Sequence, residues 1–361
     1  MKKARFLLVA LVALALGLTA CAPKATATPE VVAPTVAPAK PISVCVSLLG
    51  KLGDKSYNDT VAVGMVRAEK DFGITYKMLE ANDAAAREPN LLACADGGYD
   101  LVIAIGSGQL DITKRAAEEY PNVRFAITDS ILYPTPKNVL SVAFAPNEGQ
   151  FLVGAAMAMF TTKTNIPGVN PDKVVGWITG TESPNIKDFY AGFEQGVHYI
   201  DPEITILKGV IGSFTDPIKG KEFANAQYDQ GADIIAQVAA GSGLGIIEAA
   251  AEQKKFVVGV DTDQDNLAPG WVLTSMEKHV DVGVYNAVKS VVEGKFEGGG
   301  YKYMDLSTDA IKLTDFSTFK SVWGDKFPQD IVDKVNELRA KIISGEIKVN
   351  TNPDIRFWEK K

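Results

Sequence analysis

Residues 257–266 read VVGVDTDQDN. Val257, Val258 and Val260 make a continuous β-branched run, the composition of a strand buried on both faces of a parallel sheet. Asp261, Asp263 and Asp265 crowd its end. Parallel strands need crossover connections, usually helical, so the stretch predicts an α/β fold. In open α/β sheets ligands sit beyond the carboxyl ends of the strands. Carboxylates at that place can serve a metal, a proton transfer or a ligand rich in hydroxyl groups.

Outward from this strand the chain alternates strand, turn and helix twice over. From Ile42, ISVCVSLL reads as a strand. The helix that follows sets Val61, Met65, Ala68 and Phe72 on one face and stops at Gly73. LVIAIGSG and VRFAITDS are further strands, and VLSVAFAPN reads as the edge of this first series. The rhythm restarts at VVGWITG, followed by a helix with Ile186, Tyr190, Phe193 and Val197 in step. The last strongly amphipathic helix of the second series is VDVGVYNAVKSVVEGKF, and residues 301–361 are expected to add a hairpin and a helix at about 328–344. A chain of 361 residues exceeds what one core usually fills. Two lobes are therefore expected, residues 42–145 plus 279–298 and residues 146–278 plus 299–361.

Three chemistries fare poorly. Asp261-x-Asp263-x-Asp265 begins like a calcium loop, but Asn266 stands where the glycine belongs and Val272 where the glutamate belongs. With only two histidines, Cys/His metal chemistry has few ligands, so no metal and no cofactor is expected. GSGLG at 241–245 lacks the Lys-Ser/Thr of a P-loop, and Ile246 replaces the third glycine of a dinucleotide fingerprint. For nucleophilic catalysis there is no GxSxG, His198 falls late in a helix, and His279 has no evident nucleophile partner, which argues against an enzyme. A net charge of −7 offers no basic field for nucleic acid.

The amino-terminal stretch carries Lys2, Lys3 and Arg5, an apolar run from Phe6 to Leu18, and Leu18-Thr19-Ala20-Cys21, which resembles a bacterial lipobox. Residues 1–21 thus read as a lipoprotein signal with Cys21 as the lipidated residue. Residues 22–41 read as a Pro/Ala/Thr linker holding the body away from the cell membrane. Outside the cytoplasm a disulfide is chemically allowed. Cys45 lies in the first strand, and a right-handed crossover brings the helix holding Cys94 over that strand. A Cys45–Cys94 bond and two separate buried thiols are the alternatives.

Reversible binding remains. Polar or aromatic residues stand at nearly every strand end: GDKSYND, Ser107, Asp129, GTESPN, Phe214, Gly241, Asp261 and Lys278. A lone Asp there accepts hydrogen bonds from vicinal hydroxyls. Tyr57, Phe189 and Phe214 fall at loop positions, where each alone reads as packing and three converging on one cleft read as stacking for a planar ring.

These residues resemble the basic membrane protein family of substrate-binding lipoproteins, which includes purine nucleoside receptors of ABC importers. DKSYND, PNVRFAITDS, NEGQFLVGAAMA, FYAGFEQG, GSFTDPIKGKEFA, GADIIAQVAAGSG, VVGVDTDQ and VLTSMEKHVD follow in the family's order over roughly residues 42–350. More distantly the chain resembles ribose-type binding proteins, with Phe214 and Asp261 at sugar-contact places. The resemblance implies a type I periplasmic-binding fold: two Rossmann-like lobes with parallel sheets, a three-segment hinge, and closure on ligand. The hinge crossings are expected near 144–148, 276–280 and 296–302. The resemblance also implies that Tyr57 or Asn58 and Asp129 contact ligand from the first lobe, and that Phe214, Gly241 and Asp261 do so from the second, with Lys278 at the hinge. Phe189 is added from its position at a strand end. Tyr57 departs from the family's usual Phe, and Ser107 and Gln109 stand where relatives often carry a Gly-Phe segment. Asp261 is expected to accept ribose hydroxyls, with Asp263 and Asp265 as loop-capping or solvated acids. The implied function is capture of a purine nucleoside by a monomer for an ABC permease and ATPase. A sugar receptor of the same fold and a signalling receptor are the alternatives.

Overall fold

The computed structural model describes residues 40–352. The expected signal and lipobox with Cys21, and the linker up to residue 39, lie outside the described residues. Among the described residues no helix is long and apolar enough to cross a membrane.

The first series comprises β1 (Ser43–Ser47), α1 (Tyr57–Phe72), β2 (Thr75–Leu79), α2 (Arg87–Asp96), β3 (Leu101–Ala104), α3 (Leu110–Glu119), β4 (Phe125–Thr128) and β5 (Val139–Phe144). After α4 (Pro146–Phe160) the second series runs β6 (Val174–Thr179), α5 (Pro184–Ile200), β7 (Thr205–Val210), α6 (Pro217–Asp229), β8 (Ile234–Val238), α7 (Gly241–Gln253), β9 (Phe256–Asp261) and β10 (Val272–Lys278). Then follow α8 (Val280–Val292), β11 (Gly300–Met304), β12 (Ile311–Leu313), α9 (Ser317–Trp323) and α10 (Gln329–Ile343).

The strands form two six-stranded sheets, ordered β11-β5-β4-β3-β1-β2 and β12-β10-β9-β8-β6-β7. Every pairing is parallel except β10 with β12. β3, β4, β5, β8 and β9 are buried at every residue, because helices cover both faces. α1 buries Val61, Met65 and Ala68 on one side. It ends where Gly73 takes φ 64° and its N–H caps the Glu69 carbonyl, a left-handed conformation suited to glycine.

The connections between lobes exchange helices. α4 leaves β5 of the first sheet and packs on α5 and α10 of the second lobe. α8 leaves β10 of the second sheet and packs on α1 of the first. The α4–α5 contact is close because it is made through glycine: a methyl at Gly192 would stand 2.0 Å from the Asn147 carbonyl oxygen, and one at Gly196 2.1 Å from that of Phe151.

Four expectations need correction. Gly300–Met304 lies in the first sheet, parallel to β5, and not in the second lobe expected for residues 299–361. The chain returns beside β5 through Gly298 and Gly299, where a methyl at Gly298 would meet the Lys137 carbonyl at 2.1 Å and Gly299 takes φ 83°. β5 is therefore not the edge, and the third crossing falls between Met304 and Ile311 instead of at 296–302. β11 and β12 form no hairpin, since each completes a different sheet. The other two crossings fall at Ala145 and His279, inside the expected windows.

Candidate functional site

The carboxyl ends of the two sheets face each other across a cavity of about 750 Å³. Tyr57, Asn58, Asp129, Phe189, Phe214, Gly241, Asp261 and Lys278 all line it.

At its centre lies an ion cluster built from both lobes. Asp129 follows β4 and Asp261 ends β9, equivalent strands in the two sheet orders. Both adopt left-handed backbone, with φ 59° and 67°, a conformation that Asp tolerates better than most residues. Lys278, the last residue of β10, places Nζ 3.0 Å from Asp129 Oδ2 and 3.6 Å from Asp261 Oδ1. The three side chains expose only 3%, 6% and 8% of their surface. Burial alone would lower the pKa of Lys278, but Asp129 and Asp261 outweigh it and hold the ammonium above its ordinary value. Burial raises Asp261 above the usual carboxylate range, against the pull of Lys278 and of a hydrogen bond from Ser56. With all three ionised the cluster carries one excess negative charge, so it favours a ligand that brings hydrogen-bond donors.

Aromatic rings flank this cluster. Lys278 Nζ lies 4.6 Å from the Tyr57 ring centroid and 5.1 Å from that of Phe189. Tyr57 hydroxyl is hydrogen-bonded to Thr128 Oγ1 at 3.1 Å. Its pKa is pushed far up, first by burial and then by Asp129, so the hydroxyl stays protonated at neutral pH. Phe214 lies across the cavity on the loop after β7, its ring against Gly180, where a methyl would stand 2.1 Å from Cδ1. Gly180 is thus the space in which the ring lies.

The remaining expected residues separate by role. Asn58 lines the cavity, but its side-chain carbonyl accepts from Gly50 N and its amide donates to Asp54 Oδ2. Asp54 also accepts from the backbone N–H groups of Ser56, Asn58 and Asp59, fixing the start of α1. Gly241 opens α7 beside Phe214, with room for a methyl only 3.2 Å from the Phe214 carbonyl oxygen. Ser107 lines the cavity, whereas Gln109 does not. Gln109 is buried and donates to the carbonyls of Ser47 and Ile105, bracing β1 against β3.

Asp263 caps its own loop by accepting from Asp265 N. Asp265 corrects the expectation of a solvated or capping acid. It is buried and accepts from Ser275 Oγ at 2.6 Å and Thr314 Oγ1 at 2.8 Å, tying the β9–β10 connection to the segment after β12. Burial pushes its pKa up to about 6, and those two hydroxyls limit the rise. His279 pairs with Asp281 at 3.2 Å and His198 is exposed on α5; neither lines the cavity. Among the described residues no cluster of three His, Cys, Asp or Glu side chains has metal-binding geometry.

The lobes also touch directly. Ser56 Oγ donates to Asp261 Oδ2 at 2.7 Å, and the Lys55 carbonyl accepts from Thr262 Oγ1 and Gln264 Nε2. Cys45 of β1 and Cys94 of α2 form a disulfide, with Cα atoms 5.4 Å apart. It clamps α2 to the sheet, and α2 begins with Arg87, a cavity residue that sequence reading passed over as the start of a helix. Periodicity shows where α2 packs, but not that its first side chain reaches back over two strand ends.

Comparison with known proteins agrees with this geometry. The chain is 30% identical over 325 residues to the CD4+ T-cell-stimulating antigen of Listeria monocytogenes, covering 84% of this chain and 86% of that protein. It is 30% identical over 319 residues to the ABC transporter nucleoside-binding protein BmpA of Lactococcus lactis, covering 82% and 86%. The crystal structure of an ABC transporter solute-binding protein from Aeropyrum pernix superimposes with a TM-score of 0.77 at 30% identity, over 86% of this chain and 94% of that one. The fold is thus the type I fold of periplasmic solute-binding proteins. Residues 42–353 match the profile of the PnrA-like ABC transporter substrate-binding proteins, and the chain belongs to that family, Bmp.

Proposed function

We propose that this protein captures a purine nucleoside in the interlobe cleft and delivers it to the permease and ATPase of an ABC importer. The observation that carries the reading is the buried Asp129–Lys278–Asp261 cluster set among Tyr57, Phe189 and Phe214. The cluster matches the vicinal hydroxyls of ribose, and the rings match a planar base. A ribonucleoside needs both. A free sugar needs only the first, and a free base only the second. A cavity of about 750 Å³ is within the usual range for small-ligand sites. The nucleoside-binding name of the Lactococcus lactis relative points the same way.

In this reading the protein is not an enzyme and works as a monomer. It is extracytoplasmic, held at the cell membrane by lipid on Cys21, with residues 22–41 as its tether. A Cys21→Ser variant is expected to leave the detergent phase or remain unprocessed. The deciding measurement for the ligand is calorimetry with inosine, guanosine, adenosine, hypoxanthine and ribose, alongside mass spectrometry of co-purified ligand. Nucleosides are expected to bind tightest. Binding of ribose with no nucleoside would replace the proposal by a sugar receptor.

A further inference from the structure

We infer that Arg87 reads the edge of the base and makes the cleft selective for 6-oxopurine nucleosides. The inference rests on the nucleoside reading above and names the ligand class within it. Arg87 is the first residue of α2, half-buried, and lines the cavity. Its Nε donates to the Leu49 carbonyl at 3.1 Å, just beyond β1. A methyl at Gly108, beyond β3, would stand 2.9 Å from Nη1, so the glycine leaves the space that the guanidinium occupies. The group is thus held at its base over two strand ends. Among the described residues neither terminal nitrogen has a hydrogen-bond acceptor. Burial lowers its pKa, partly offset by Asp83, but an arginine remains charged throughout the physiological range.

Its place along the cleft follows from the sheet orders. The crossings leave from β5, β10 and β11, at one end of each strand order. Asp129 follows β4 and Asp261 ends β9, close to that end. Leu49 follows β1, and residues 82–87 follow β2, at the other end. A nucleoside whose ribose sits on the Asp129–Lys278–Asp261 cluster therefore directs its base toward Arg87.

An arginine only donates. The 6-oxo group and N7 of hypoxanthine or guanine are adjacent acceptors, a pair that a guanidinium fork fits in two parallel hydrogen bonds. The 6-amino group of adenine opposes a donor to a donor. A phosphate is the other ligand that an unpaired arginine suits. Here the cavity walls carry Asp54, Asp83, Asp129, Glu182 and Asp261 against Lys51, Arg87 and Lys278, a balance unfavourable to a dianion.

Calorimetry on the full-length protein tests the inference, with inosine, guanosine, adenosine, purine riboside (which lacks the 6-substituent) and inosine 5′-monophosphate. Wild type is expected to bind inosine and guanosine at least about tenfold tighter than adenosine or purine riboside. Arg87→Met should bring inosine to the adenosine level while changing adenosine less than about threefold, and Arg87→Lys should restore only part of the preference, because a point charge lacks the fork. Equal wild-type affinities for inosine, adenosine and purine riboside would overturn the inference even if the variants failed to fold. So would a preference that survives in Arg87→Met, or tighter binding of the monophosphate than of inosine. Binding of no nucleoside at all would instead sink the functional reading itself.

Discussion

The two lobes share one strand order and differ in how they are held together. In the first, β1 is tied to α2 by the Cys45–Cys94 disulfide. In the second, the corresponding strand β6 carries no such bond, and the lobe is closed by aromatic packing. Phe256 of β9 lies 4.7 Å from Phe160, 5.9 Å from Phe319 and 5.8 Å from Trp323, ring centroid to centroid. Phe319 and Trp323 come from α9, beyond the last crossing. The lobe that receives the carboxyl-terminal helices thus has extra apolar surface to bury, whereas the smaller one relies on a covalent tie. Two frames that share five parallel strands in one order, and differ in the direction of the edge strand, reach stability by different means, and the cleft between them needs only that their strand ends stay aligned.

The largest effect is expected from Phe256→Ala, which removes the hub of the ring cluster and should cost about 3–5 kcal/mol. Denaturant unfolding followed by circular dichroism would measure it. Next, Cys45→Ala with Cys94→Ala opens a tie between residues 49 apart and should cost about 3 kcal/mol. In a Trp358→Phe background the remaining tryptophans, Trp177, Trp271 and Trp323, all belong to the second lobe, so fluorescence reports that lobe alone. Because α4 and α8 are exchanged, the loss of the first lobe's disulfide should move this fluorescence transition by the same amount as the circular dichroism transition. A fluorescence midpoint that stayed put would show that the lobes unfold independently.

A third experiment compares the equivalent acids. Asp261→Ala should weaken nucleoside binding by about 2 kcal/mol, roughly thirtyfold, and free base much less. Asp129→Ala should weaken it less, since Asp261 still holds Lys278 and receives Ser56 from the opposite lobe. Equal losses for nucleoside and base in Asp261→Ala would place the ribose elsewhere.

The smallest effect concerns Asp265, which has no counterpart paired with two hydroxyls at the end of β4. Its folded pKa of about 6 is above the ordinary value for an unfolded aspartate. The native state therefore binds the extra proton between about pH 4 and 6, and stability falls as pH rises through that window. Asp265→Asn should flatten this slope and gain on the order of 1–2 kcal/mol relative to wild type between pH 4.5 and 7. A difference in stability independent of pH would rule out this titration.

The comparison also shows what a sequence can declare. Strand ends are legible because an apolar run must stop before a polar residue can face solvent or ligand; Asp129, Asp261 and Lys278 were found that way, and all three line the cleft. Gly73 was legible because a left-handed cap favours one residue. β11 was not, because an alternating strand states its period and not which sheet edge it will join, and the Gly298–Gly299 return is a long-range fact. Asp265 was misread for a related reason. A carboxylate looks solvated until the partners that bury it, ten and 49 residues away, are known. Arg87 escaped because its reach depends on the relative placement of β1, β3 and α2.

The exchanged helices fix how the molecule can move. Ala145 and His279 are the single residues between a sheet strand and a helix docked on the opposite lobe, and their backbones are alike, at φ −102°, ψ 67° and φ −74°, ψ 65°. Rigid elements meet on either side of each, so any rotation between the lobes is absorbed at those two points. Two points define a line. The third crossing, from Asp305 to Ala310, is a capped single turn whose Ala310 carbonyl accepts from His279 N, so it lies beside the second point instead of adding a separate one. The protein therefore behaves as a door on two pins, with one degree of freedom. Side chains lining the cleft sweep arcs whose length grows with distance from that line: short at Lys278, long at Arg87.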